Sequence, residues 1–244
     1  MSMAILEVQD ITKTLAKKKV LHGVNFSVEK GEIYGFLGPN GAGKTTTMKC
    51  ILGLIKAESG NIKIFGKEGL TIESKKRIGF MPENTYLYKH LTGREFLEFN
   101  GSFFGLKGEE LKKTVDELLQ RVGLKDAGNK YLKSYSKGML QRVWLAQSII
   151  NKPELLFLDE PMSGLDPIGR KMVKDLLESL RDEGTTIFFN THILADVESI
   201  CDRISIINRG SIIVEWKEVK KLKRWLEAFF IKKVEEHNEE TKKD

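Results

Sequence analysis

The chain has 244 residues, 41% hydrophobic and 30% charged, enough to bury a core without disulfide or metal staples and unlike a disordered polymer. No apolar run reaches the ~18 residues of a membrane helix, residues 1–10 are not a secretion signal, and two cysteines make neither a disulfide scaffold nor a zinc cluster. The expectation is a chain of the reducing cytoplasm that neither spans a membrane nor is secreted; its net charge of +6 admits anionic partners, yet Lys and Glu are interspersed as on an ordinary solvated surface.

Short runs rich in branched residues predict strands at 5–8, 24–28, 33–37 and 61–65, with a helix over 46–55 between the last two. A strand at 78–81 is stopped by Pro82. Helical spacing of apolar residues follows at 93–104, 111–122 and 137–150. The run Leu155, Leu156, Phe157, Leu158 is unbroken, as in a strand of a buried parallel sheet. Then come a helix at 167–183, a strand at 185–190, a short helix at 193–200, and a hairpin of 203–207 with 211–215. Val219, Leu222, Trp225, Leu226, Phe229 and Phe230 make an amphipathic stripe whose polar face carries both charges, predicting a helix packed on the body and a frayed tail from Glu235. The pattern is one domain, 1–234, with a helical block at about 91–151 inserted into an α/β fold and a charged tail at 235–244.

The segment Gly38, Pro39, Asn40, Gly41, Ala42, Gly43, Lys44, Thr45 lies between a predicted strand and a predicted helix. In that setting backbone N–H groups curl around phosphate oxygens and the helix start adds a positive partial charge. Lys44 is placed to reach the β- and γ-phosphates, Thr45 to ligate magnesium, and Thr46 to reach the α-phosphate. A phosphate loop says nucleotide without saying which reaction. The buried run at 155–158 delivers Asp159 and Glu160 at its C-terminal edge, where ligands sit in open α/β sheets. Asp159 can hold magnesium through water, and Glu160 can polarise an attacking water, a pair better suited to a hydrolase than to a kinase-like binder. Ser136 opens a helix followed by Gly138, which alone reads as a cap; Asp166 follows the carboxylate pair in Ser163-Gly164-Leu165-Asp166, and His192, at the end of the next strand, alone reads as structural.

In this order, the phosphate loop, the helical insert, Tyr135-Ser136-Lys137-Gly138-Met139, Asp159-Glu160-Pro161, the Asp166 loop and His192 resemble the ATP-binding subunit of an ABC transporter over essentially the whole chain. The phrases are most similar to the daunorubicin- and bacitracin-resistance type of exporter ATPase. The resemblance implies a P-loop NTPase (RecA-like) α/β core with a mixed sheet, an N-terminal antiparallel β subdomain and an inserted helical subdomain. It implies ATP and Mg2+ as cofactors, and hydrolysis by a head-to-tail dimer with a second copy or a related cassette. The phosphate loop of one subunit would face Ser136 and Gly138 of the other; Glu160 would be the base, His192 would contact the γ-phosphate, and Asp166 would link the sites. An integral membrane permease would dock on the helical insert and on 83–91, leaving the chain peripheral on the inner face of the cell membrane, with no nucleic acid partner. Four positions in three places depart from the family pattern. Lys137 and Met139 replace a common glycine and glutamine. Leu15 stands where an aromatic stacks on adenine, and Glu83 where a glutamine meets magnesium.

Two other classes compete. Soluble cassette ATPases of ribosomes or DNA carry two cassettes or a long coiled-coil insert, which this chain lacks. A nucleotide kinase would leave Ser136 and Asp166 unexplained.

Overall fold

The computed structural model describes residues 4–83, 88–217, 219 and 225–241. In chain order the elements begin with β1 (Ala4–Leu15), β2 (Lys18–Glu29), β3 (Ile33–Leu37), α1 (Lys44–Ile51), β4 (Ser59–Ile64), β5 (Lys67–Glu68), α2 (Ile72–Lys76) and β6 (Ile78–Met81). They continue with α3 (Gly93–Phe103), α4 (Gly108–Arg121), α5 (Lys137–Ser148), β7 (Leu155–Asp159) and α6 (Pro167–Asp182). The chain closes with β8 (Thr186–Thr191), α7 (Leu194–Ile200), β9 (Arg203–Asn208), β10 (Ser211–Lys217) and α8 (Leu226–Glu240). They fall into two compact units, Met1–Ser74 with Thr186–Asp244, and Lys75–Thr185.

In the first unit β1 and β2 form a long antiparallel hairpin turned by Ala16 and Lys17, both at positive φ. β4 pairs antiparallel with the other edge of β1, and β5 with β4. A second, mixed sheet has β3 between β8 and β9, parallel to both, with β10 antiparallel to β9. Every residue of β3 and β8 is buried, and β3 and the centre of β8, Ile187, Phe188 and Phe189, accordingly show no polar alternation. Phe26 of β2 lies over Tyr34, Phe36 and Phe188 with ring centroids 5.2–5.7 Å away, so the two sheets share an aromatic core. The buried Tyr34 hydroxyl is satisfied by Ser205 Oγ at 2.6 Å.

In the second unit β6 and β7 run parallel, Ile78 facing Leu155 and Met81 facing Leu158. The Arg77 guanidinium makes a two-pronged bond to Glu154, at 2.7 and 2.9 Å, across the start of the pair. Helices α3, α4 and α5 pack on one another, with Phe96 edge-on to Trp144 at 5.1 Å. Helix α3 starts in a full capping box, Thr92 accepting from the Glu95 N–H while the Glu95 carboxylate accepts from the Thr92 N–H.

Three elements differ from expectation. Helix α1 stops at Ile51: Gly53, at φ 63, donates to Cys50 O and Leu54 N donates to Lys49 O, the paired bonds of a Schellman stop. The C-terminal stripe splits, with β10 running on to Lys217 and α8 starting only at Leu226; Leu222 lies outside the described residues. Helix α8 also continues past Glu235 to Glu240, because Trp216 packs edge-on to Phe229 at 5.3 Å and its last turn bonds to the β9–β10 hairpin.

Candidate functional site

In the first unit the buried β3 delivers the chain at Gly38, and the loop then turns by an Ala42 N–H bond to Pro39 O at 3.1 Å. Gly43 opens α1 at φ 111, a left-handed conformation, and a Cβ there would come 2.8 Å from Leu21. No side chain caps the start of α1 among the described residues, and its first turn holds no acidic group. Such a start presents backbone N–H groups and a positive dipole end, which suits an anion. Lys44 is buried and folds back over the loop, donating to Gly38 O at 2.8 Å and Pro39 O at 3.3 Å. The loop thus concentrates an ammonium and helix-end N–H groups in one place. Thr45 and Thr46 are half-buried on the first turn, while Thr47 bonds back to Gly43 O at 2.9 Å. Leu15 ends β1, 40% exposed, beside the hairpin turn. His192 is exposed directly after β8, where Thr191 Oγ1 accepts from Ile193 N–H at 3.0 Å and starts the turn into α7.

In the second unit β7 ends on two buried carboxylates, Asp159 and Glu160, 2% and 7% exposed. Glu160 adopts φ 53, a conformation that costs a non-glycine residue about 1–2 kcal/mol. Its carbonyl accepts from Ser163 N–H at 3.1 Å and from Gln141 Nε2 at 3.1 Å, and the same amide donates to Pro161 O at 3.1 Å. Gln141 was not singled out from the sequence; its partners are 19 and 20 residues away, and only the helix face it occupies could have hinted at them. Glu83 follows Pro82 and is exposed. Because β6 and β7 are parallel with Met81 opposite Leu158, Glu83 and Glu160 follow their strands at the same end of the pair. Residues 84–87 lie outside the described residues.

Ser136 caps α5, accepting from Met139 N–H at 3.2 Å, and Asp166 caps α6, accepting from Gly169 N–H at 2.7 Å. Both caps and Gly138 line one cavity of about 390 Å³. A Cβ on Gly164 would come 2.7 Å from Lys137, so this lysine lies across the loop that leads to Asp166. Arg142 donates to Gly138 O at 3.3 Å and to Val122 O at 3.1 Å, fixing the start of α5 against the end of α4. Thus the first unit holds Leu15, the loop 38–46 and His192, and the second holds Glu83, Ser136, Gly138, Asp159, Glu160 and Asp166.

The model of the ABC transporter family matches residues 21–163. The chain is 42% identical over 214 residues to the bacitracin transport ATP-binding protein BcrA of Bacillus licheniformis, 86% of this chain and 69% of that protein. It is 50% identical over 199 residues to an uncharacterized ABC transporter ATP-binding protein of Synechocystis sp., 81% of this chain but only 56% of that protein's length. Among solved structures it is similar to an ATP-binding subunit of an ABC transporter, with a TM-score of 0.83 at 29% identity over 94% of this chain and 99% of that one. With its phosphate loop, mixed sheet, antiparallel N-terminal sheet and helical segment, the chain belongs to the ATP-binding subunits of the ABC transporter family.

Proposed function

We propose that the chain binds and hydrolyses ATP and so powers transport, in the export direction, through a separate membrane permease. The observation that carries this reading is the phosphate loop, in which Lys44 and the uncapped start of α1 converge. Residues 38–46 would hold the phosphates and Leu15 would cover the adenine. By the family resemblance Thr45, Asp159 and Glu83 would each offer an oxygen to magnesium, a hard cation that takes one or two carboxylates and leaves the rest to water and phosphate. Bound there, the ion would offset charge on the γ-phosphate. Glu160 would take a proton from water as the water oxygen bonds to the γ-phosphorus and the bond to the ADP oxygen breaks. His192 would hold the γ-phosphate in line.

The likeness to a bacitracin transport ATP-binding protein supports transport as the work done, and the resemblance to the resistance-type exporter ATPases supports the export direction. By the same resemblance, Ser136 and Gly138 of a second copy would close over the nucleotide, with Asp166 linking the two sites. The chain would act as one cassette through the end of α8 at Glu240, the helical block 91–151 receiving the permease. No described helix is long and apolar enough to cross a membrane, so attachment to the inner face of the cell membrane would come through the permease. Two variants test this. Lys44→Ala should abolish ATP binding in calorimetry. Glu160→Gln should keep binding, lose most turnover, and accumulate a dimer with ATP-Mg in size-exclusion chromatography. Unchanged affinity in the first, or full turnover in the second, would refute the assignment.

A further inference from the structure

The β9–β10 hairpin ends in a two-residue turn, Arg209 and Gly210, with Asn208 facing Ser211 across it. Both central residues have positive φ, 46 and 78, as a type I′ turn requires. This turn is held from two sides. On one side the Gly210 N–H donates to Ala42 O of the phosphate loop at 2.8 Å, and Gly210 O accepts from His22 N–H at 2.9 Å. A Cβ at 210 would come 2.0 Å from Val20 O, so the approach is open to glycine alone. On the other side lies the last turn of α8. Asn208, buried, donates from Nδ2 to His237 Nδ1 at 3.1 Å and to Asn238 Oδ1 at 3.0 Å. An amide nitrogen only donates, so His237 accepts at Nδ1 and carries its ring proton on Nε2. Arg209 Nη1 donates to Thr241 Oγ1 at 2.7 Å.

We propose that His237, Asn238 and Thr241 are positioning residues for the phosphate loop, acting through residues 208–210 on the Ala42–Gly43 peptide; this rests on the reading that the loop binds nucleotide phosphates. A trans peptide is planar, so its C=O and N–H point in opposite directions. Anchoring Ala42 O on Gly210 therefore turns the Gly43 N–H away from the hairpin. The Ala42 N–H is already committed to Pro39 O. Gly43 can adopt either sign of φ, so its peptide needs an external tie to keep one orientation. The tie runs from α8 through the hairpin turn, and nothing in the spacing of 42, 210 and 237 announces it.

The test uses the full chain and ADP-Mg titrated by calorimetry, with ATP turnover and thermal melts alongside. A double variant, His237→Ala with Asn238→Ala, should bind ADP about 3- to 10-fold more weakly, the worth of one or two hydrogen bonds. KM for ATP should rise in step while kcat stays level. Thr241→Val, at an exposed position that does not threaten folding, should weaken ADP by about 2- to 3-fold. His237→Asn keeps an acceptor where Nδ1 stood and should restore wild-type affinity. Equal ADP affinities in the wild type, the double variant and Thr241→Val, with only the melting temperature falling, would show that α8 is mere packing and overturn the proposal. A wild-type chain that binds no ADP would overturn the reading of the loop as well.

Discussion

Replacing Gln141 with leucine removes two donors without changing bulk or helix propensity greatly. In the structure those donors meet the carbonyls of Glu160 and Pro161, each at 3.1 Å, and both residues are buried. Each bond contributes about 0.5–1.5 kcal/mol net, so the pair is worth about 1–3 kcal/mol. That is the same size as the ~1–2 kcal/mol cost of holding Glu160 in the left-handed region. Without the amide, the strain at Glu160 loses two of the bonds that oppose it while the Ser163 bond stays, and Glu160 should spend more of its time out of position. The expected result is a kcat about tenfold lower with KM for ATP unchanged, because Lys44 and its loop are untouched. The melting temperature should fall by about 2–12 °C, from the usual conversion for a chain of this size. Steady-state phosphate release and circular-dichroism melts read the two effects separately. A lower melting temperature with kcat intact would refute the reasoning, since the amide would then serve the fold and leave Glu160 alone.

Burial pushes the Glu32 carboxyl up to about 7, against the opposing Glu29 N–H at 2.7 Å and Arg203 at 3.1 Å. The folded chain keeps a proton the unfolded chain has released, so this contribution is whole below about pH 4.5 and is lost as pH rises to about 7, at up to ~1.4 kcal/mol per pH unit; Glu32→Gln should flatten that slope in melts, and equal slopes would count against it. Leu15→Tyr should tighten ATP and ADP alike by up to about 1–2 kcal/mol through base stacking, with turnover at saturation unchanged; equal ADP affinities in calorimetry would remove Leu15 from the site. Ser136→Asp should keep the α5 cap and the melting temperature yet abolish the ATP-dependent dimer, and a dimer that persists by size-exclusion chromatography would show that Ser136 meets no phosphate.

What could be read from the sequence was what is local. The strands β3 and β6 were placed to the residue because an apolar run bounded by Gly or Pro carries its own ends. The phosphate loop was legible for the same reason: its N–H groups, its lysine and its helix start are neighbours in the chain. Strand β5 has two residues and α2 five, too few to build a period that the sequence could display. Gly53 was passed over as an end for α1, although its Schellman bonds are as local as any. Gln141, and the hold of α8 on the turn after β9, could not be read at all. Both rest on polar side chains bonding to a distant stretch of backbone or side chain, and nothing repeats along the sequence to mark them.

The two capped helix starts on the shared cavity separate by the chemistry of their caps. A hydroxyl that accepts one backbone N–H still has a proton to give. Ser136, having satisfied Met139 N–H, can therefore donate to an anion without surrendering the cap. Capping and phosphate contact are not rival roles for it. Asp166 has no such proton: ionised, its carboxylate only accepts, and Gly169 N–H already meets one oxygen. It repels a phosphate and suits N–H groups or a cation from another chain. Serine at one start and aspartate at the other thus give one rim of the cavity an affinity for anion and the other an affinity for donors. Putting aspartate at 136 would leave both helices capped and reverse the sign at the one rim where, on the proposed reading, a phosphate would arrive, which is why that variant separates stability from assembly.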